Sequence, residues 1–111
     1  IRLEAEGPPD AVVACHCASC RKQTGAPFAV YADYPAAWIR FILGEAARFA
    51  SSPGAQRGYC ADCGSTLYFR GDNLPEMIHL HVGLFDDAGA FPPTADVHAD
   101  TRLPWVQPCG Q

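Results

Sequence analysis

Residues 1–6 alternate apolar and polar side chains (Ile-Arg-Leu-Glu-Ala-Glu) and read as a strand with one buried face. A Gly-Pro-Pro-Asp turn follows, and residues 11–14 read as a second strand that delivers Cys15 at its end. The two are expected to pair as a hairpin. Residues 18–24 predict a single helical turn. Residues 28–31 predict a strand ended by Tyr34-Pro35, since a proline disfavours helix in the residue before it. Helix and strand signals compete over residues 36–50. Gly44 interrupts the run, and Trp38, Ile39 and Phe41 suit a strand, so we expect two strands at 38–42 and 46–51 joined through Gly44-Glu45. Residues 51–54 form a loop.

Farther on, Arg57-Gly58-Tyr59 and Thr66-Leu67-Tyr68-Phe69 flank a cysteine knuckle and read as strand, knuckle, strand. In residues 77–82 the two-residue period puts Ile78, Leu80 and Val82 on one face and Met77, His79 and His81 on the other. Asp86-Asp87-Ala88-Gly89 is a turn rather than a carboxylate dyad. Residues 95–98 are a short last strand, and Leu103-Pro104-Trp105 folds a tail back on the core. Ten prolines and ten glycines cut the chain into pieces too short for long helices, so the fold class is mainly β, with short antiparallel strands.

Composition narrows the function. The 111 residues fit one domain, 1–111, and 18% charged against 49% hydrophobic residues is ordinary for a folded globule. A net charge of -4 with scattered basic residues repels a phosphate backbone, so nucleic acid is a poor partner. No apolar run reaches the ~20 residues that span a bilayer, and no secretory h-region opens the chain, which points away from membranes and to the cytoplasm. There, close cysteine pairs serve as metal ligands or catalytic groups rather than disulfides.

The chemistry lies in two stretches. Cys15, Cys17 and Cys20 are spaced C-x-C-x-x-C, followed by Arg21-Lys22, and after 39 intervening residues Cys60-Ala61-Asp62-Cys63-Gly64 answers them. Two thiolates two residues apart can reach one ion, with the glycine turning the backbone beneath it. A redox C-x-x-C is the weaker reading, because Gly64-Ser65-Thr66 does not open a helix. Spacing alone leaves two arrangements open. Cys17, Cys20, Cys60 and Cys63 can close one four-thiolate site, with Cys15 a buried hydrophobe. Alternatively, Cys15, Cys17 and Cys20 form a three-thiolate site with a fourth position for substrate. His16 reads as incidental or as a partner behind the ligands. His79 and His81 read as a partly exposed pair rather than ligands. Arg21 and Lys22 are candidates to receive a substrate carboxylate.

Cys15-His16-Cys17-Ala18-Ser19-Cys20-Arg21-Lys22 and Thr24-Gly25-Ala26-Pro27-Phe28 resemble the signature of the glutathione-dependent formaldehyde-activating enzyme family, which includes the centromere protein V relatives. Ala50-Ser51-Ser52-Pro53, the run from Arg57 to Leu67, Gly83-Leu84-Phe85-Asp86-Asp87 and Leu103-Pro104-Trp105 fit in order, so the resemblance spans nearly the whole chain. It implies an Mss4-like fold organised around zinc-binding knuckles. The catalytic zinc would be on Cys15, Cys17 and Cys20, and a separate structural zinc would include Cys60 and Cys63. The family takes the other two structural ligands from a Cys-x-Cys just ahead of the first strand. This chain starts at Ile1 with no such pair, so native residues are expected before it. The implied activity is that of a carbon-sulfur lyase adding glutathione, or a related thiol, to formaldehyde or another small aldehyde, and the reverse. The rival expectation is a zinc-stabilised interaction module without catalysis.

Overall fold

The computed structural model describes residues 1–109. Nine strands form: β1 (Arg2–Ala5), β2 (Ala11–Cys15), β3 (Ala29–Pro35), β4 (Ile39–Leu43), β5 (Ala47–Ser52), β6 (Ala55–Tyr59), β7 (Thr66–Gly71), β8 (Met77–His81) and β9 (Ala95–Val97). One helix, α1 (Ala18–Thr24), follows β2, and short 3-10 turns complete the connections. Seven strands make one sheet in the order β5-β6-β7-β8-β3-β2-β9, and β1 and β4 make a second, two-stranded sheet. All pairings are antiparallel except β2 with β9. The mainly β expectation therefore holds.

The large sheet has two faces of different character, set by its register. Tyr34 lies opposite Ile78 and Ala32 opposite Leu80, which in turn faces Tyr68. These residues are buried and form the hydrophobic core. Leu3, Ala5 and Ile39 of the small sheet pack against them, so β1 and β4 cover this face. The alternate residues, Tyr31 opposite His81 and Asp33 opposite His79, point the other way. On that second face Phe69 lies between His79 and Arg57. Cys15 lies between Ala29 and Val97.

The expected hairpin of residues 1–6 with 11–14 does not form. β2 has β3 on one side and β9 on the other, which leaves no free edge for β1. Gly7 takes a left-handed φ of 76° against the Trp38 ring and turns the chain away. β1 then pairs with β4, and Glu6 N–H extends that ladder by donating to Trp38 O at 2.9 Å. Helix α1 covers the residues where a helical turn is expected, 18–24, and is ended by Gly25 at φ 68°. The strand expected to end at Tyr34-Pro35 does so. The tail folds back through Cys109, whose N–H donates to Asp96 Oδ2 at 2.8 Å, while Trp105 itself stays exposed.

Gly58 is the tightest point of the core. It lies opposite Tyr68, and a Cβ there would clash with the Cε2, Cζ and Cδ2 carbons of the tyrosine ring. Gly58→Ala is therefore expected to lower unfolding stability by about 2 kcal/mol or more through overpacking. Urea denaturation checks this, and an unchanged midpoint would contradict the packing described.

Candidate metal centre

β2 brings Cys15 to the end of its buried run, and the chain then turns into α1 with Cys17 as the N-cap. The Cys17 sulfur accepts from Cys20 N–H at 3.3 Å, replacing one of the bonds that a helix start leaves open. One helical turn carries Cys20 back toward Cys15. The result is three thiols whose Sγ atoms all lie within 4.8 Å of one another. Cys15 Sγ is 3.7 Å from Cys17 Sγ and 3.4 Å from Cys20 Sγ. Three thiolates around one tetrahedral ion at a metal–sulfur distance of ~2.3 Å would stand ~3.8 Å apart, so the arrangement fits a metal ion. Among the described residues this is the one group of three or more such donors.

The sulfurs sit in a strongly polarised setting. Cys20 Sγ contacts Cys15 Sγ, the Tyr31 hydroxyl at 3.3 Å and Arg57 Nη2 at 3.7 Å. Hydrogen bonding from Cys15 first, then from Tyr31, lowers the Cys20 thiol to about 4 against the opposing effect of burial. Cys15 moves the opposite way, held as a thiol by its contact with Cys20 and by burial. The two shifts oppose each other, with Cys20 pushed toward the thiolate and Cys15 toward the thiol. Tyr31 stays a phenol, raised first by burial and then by Cys20. Arg57 Nη1 donates to the Tyr31 oxygen at 3.2 Å, leaving the phenol proton for the sulfur.

A cleft of about 410 Å³ opens over this face of the sheet, within the usual size of a small-molecule site. Cys15, half-buried Cys17 and Cys20 line one side, with Tyr31, Arg57 and the exposed His98 nearby. A broader apolar groove of about 690 Å³ runs past Phe28, Leu84 and Phe91, but no cysteine lines it.

His16 is not incidental. It is fully buried, its Nε2 lies 2.7 Å from Asp96 Oδ1, and its main-chain N–H donates to Val97 O at 3.1 Å. Its carbonyl accepts from Arg21 Nη1 at 2.9 Å and Thr101 Oγ1 at 2.9 Å. The residue between two candidate ligands is thus pinned to β9 and the segment after it. Arg21 also donates to Thr101 O at 2.8 Å, so its guanidinium ties the loop together. Lys22 is exposed and lines a shallow groove with Ser19, Gln23 and Arg57.

Cys60 and Cys63 form the expected knuckle apart from the triad. Cys63 N–H donates to Cys60 Sγ at 3.4 Å, repeating the bond between Cys20 and Cys17, and Gly64 turns at φ 80°. Cys60 is buried and Cys63 exposed. A hydrogen bond from Ser65 lowers the Cys63 thiol to about 7. No third donor completes a group with this pair among the described residues. Cys109 lies at Asp96 instead. The closed four-thiolate arrangement is therefore not the one formed.

Arg57 was not singled out as a site residue from the sequence. It is 2% exposed, with its guanidinium carbon 5.0 Å from the centre of the Phe69 ring. Against the expectation of a partly exposed side chain, His81 is buried against Tyr31, ring centroids 4.6 Å apart. The period-2 face assignment held the signal for His81, since it put His79 and His81 opposite the core residues.

The sequence profile of the glutathione-dependent formaldehyde-activating enzyme family matches residues 1–101. An uncharacterized lyase of Schizosaccharomyces pombe is 33% identical over 73 residues, covering 64% of this chain and 51% of that protein. The chain thus spans about half the length of the curated relative it matches. The crystal structure of a Rhodobacter sphaeroides protein has the same fold at a TM-score of 0.64, with 19% identity over 77% of this chain and 79% of the other. The chain belongs to the glutathione-dependent formaldehyde-activating enzyme family.

Burial first, then the charge of Arg57, lowers the His81 imidazole from 6.5 to about 4. A base depressed in the folded state contributes stability above its unfolded value that is lost as pH falls through the folded one. Between pH 6.5 and 4, His81 should therefore remove up to about 3 kcal/mol of stability. His81→Gln should flatten the pH slope in that window in urea melts of metal-free protein. An identical slope in the variant would refute the buried neutral imidazole.

Proposed function

We propose that this family member is a zinc-dependent carbon–sulfur lyase, joining a glutathione-like thiol to formaldehyde or another small aldehyde and cleaving the adduct. The single observation that carries the proposal is the convergence of Cys15, Cys17 and Cys20 sulfurs beside an open cleft. An interaction module would need neither the cleft nor the half-exposed Cys17 in its wall. Cys15, Cys17 and Cys20 would hold the zinc, which when bound supplies a fourth position for a thiol and lowers that thiol's pKa.

The chain's own residues then set up the addition. Tyr31 and Arg57 direct an O–H and an N–H at the Cys20 sulfur and hold it as an anion. Lys22 and Ser19 border the groove leading from the cleft and can receive a carboxylate of the thiol's tail, whereas Arg21 is already committed to two carbonyls. The substrate thiolate attacks the aldehyde carbon, a C–S bond forms, and the carbonyl π pair moves to oxygen. That oxygen takes a proton to become a hydroxyl, and His98 in the cleft lining can pass to it the proton that the thiol gives up, or return that proton to sulfur in the reverse direction. Cys60 and Cys63 would hold a second, structural zinc.

Exchange NMR of glutathione with formaldehyde tests the reading. Zinc-loaded wild type should speed the exchange, and Cys17→Ser should return it to the buffer rate and bind one fewer zinc per chain. Wild type at the buffer rate would sink the formaldehyde reading.

A further inference from the structure

Arg57 presents a charge problem that the fold does not solve with a carboxylate. Buried arginines are nearly always paired with an acid, because a lone charge away from water is costly. Arg57 is 2% exposed, and no carboxylate forms an ion pair with it among the described residues. Asp33, which lines the same cleft, is bound to His79 Nδ1 at 2.7 Å. The neighbours of Arg57 are the Tyr31 and Ser19 hydroxyls, the Phe69 face and the Cys20 sulfur, and its Nε has no partner at all. The anion available to it is sulfur.

We infer that Arg57 is the fixed counter-charge of the three-cysteine site, and that it makes the cleft select an anionic thiolate over a neutral ligand as the fourth partner. The inference rests on the metal reading of the triad, but not on any particular thiol or aldehyde. Three thiolates and a divalent ion sum to about -1, and an incoming thiolate would take a bare site to about -2 in a partly dehydrated cleft. A guanidinium keeps its charge at any working pH and brings the totals to about 0 and -1. A neutral ligand gains nothing comparable from Arg57. Its place supports this role: Nη2 reaches Cys20 on one side and Ser19 on the other, so the charge spans the cleft and the adjoining groove.

Cobalt(II)-loaded protein offers an optical test, with 2-mercaptoethanol as the thiol probe and imidazole as the neutral one. Arg57→Gln removes the charge and keeps polar atoms for Tyr31 and Ser19. It should weaken the thiol roughly ten-fold or more and leave imidazole binding unchanged. Arg57→Lys should restore most of the thiol preference. Should the Gln variant not fold, Arg57→Met serves as the neutral partner in the same comparison with Lys. Equal weakening of both probes in the neutral variant, wild-type thiol affinity there, or loss of the preference with Lys would overturn the inference. Cobalt uptake by Cys17→Ser equal to wild type would instead show the metal reading itself to be wrong, and the inference would fall with it.

Discussion

Three sulfurs held within 4.8 Å of one another, mostly out of water, are the constraint to which the rest of the molecule answers. Thiols so placed cannot all ionise without positive charge or hydrogen-bond donors close by. The fold supplies these from three elements. Helix α1 gives the Cys20 N–H to the Cys17 sulfur, β3 gives the Tyr31 hydroxyl to Cys20, and β6 gives Arg57. Each donor sits where the two-residue period of its strand, or one turn of the helix, points it at the cluster. The same period sends Ala32, Tyr34, Ile78 and Leu80 into the core. One sheet thus separates dry packing from reactive chemistry by parity alone, and a one-residue slip in β3 would exchange Tyr31 for Ala32 at the site.

What the sequence made legible is what local spacing encodes. C-x-C-x-x-C fixes three sulfurs along one short stretch, so their convergence follows from one strand end and one helical turn. Cys60-x-x-Cys63-Gly64 likewise encodes its own turn. The two faces of β8 could be read from His79 and His81 alternating with Leu80. The rest depends on pairings between distant residues. Arg57 meets Tyr31 across 26 positions, and His16 meets Asp96 across 80. Nothing near either residue announces its partner. Arg57 looked like part of a strand leading to a knuckle, and His16 like a spacer between ligands. The misplaced hairpin has the same origin, for β1 and β2 each alternate correctly, but β9 claims the edge of β2 from the far end of the chain.

Partner contacts of this kind also explain why Arg21 is spent on the backbone. A loop carrying three crowded sulfurs must be held against their mutual repulsion, and its middle residue has little side-chain bulk on either side to anchor it. Arg21 and Thr101 bind the His16 carbonyl, Val97 binds its N–H, and Asp96 binds its ring. The Asp96 carboxyl is itself lowered from its ordinary value by the His16 contact first and the Cys109 N–H second. A ligand-supporting histidine fixed by a carboxylate is a recurrent way to stiffen a metal loop. Here the histidine ring is held by Asp96, and the stiffening passes through the main chain of His16.

The two cysteine clusters, separate in space, are linked through β6. Arg57 lies three residues before Cys60, and the β6–β7 ladder changes register between Gly58 and Tyr59. The knuckle closes directly after that irregularity, with Cys60 N–H on Ser65 O at 2.9 Å and Gly64 N–H on Cys60 O at 2.7 Å. A ladder that shifts register is free to slip unless something fixes its end. The turn at Cys60–Gly64 does so, and Gly58 locked against the Tyr68 ring does so from the core side. With both points fixed just after it, Arg57 is held on the face of the sheet where its Nη2 reaches Cys20 Sγ at 3.7 Å. A knuckle whose sulfurs do not line the cleft therefore still bears on the candidate site, by setting where the buried Arg57 guanidinium stands.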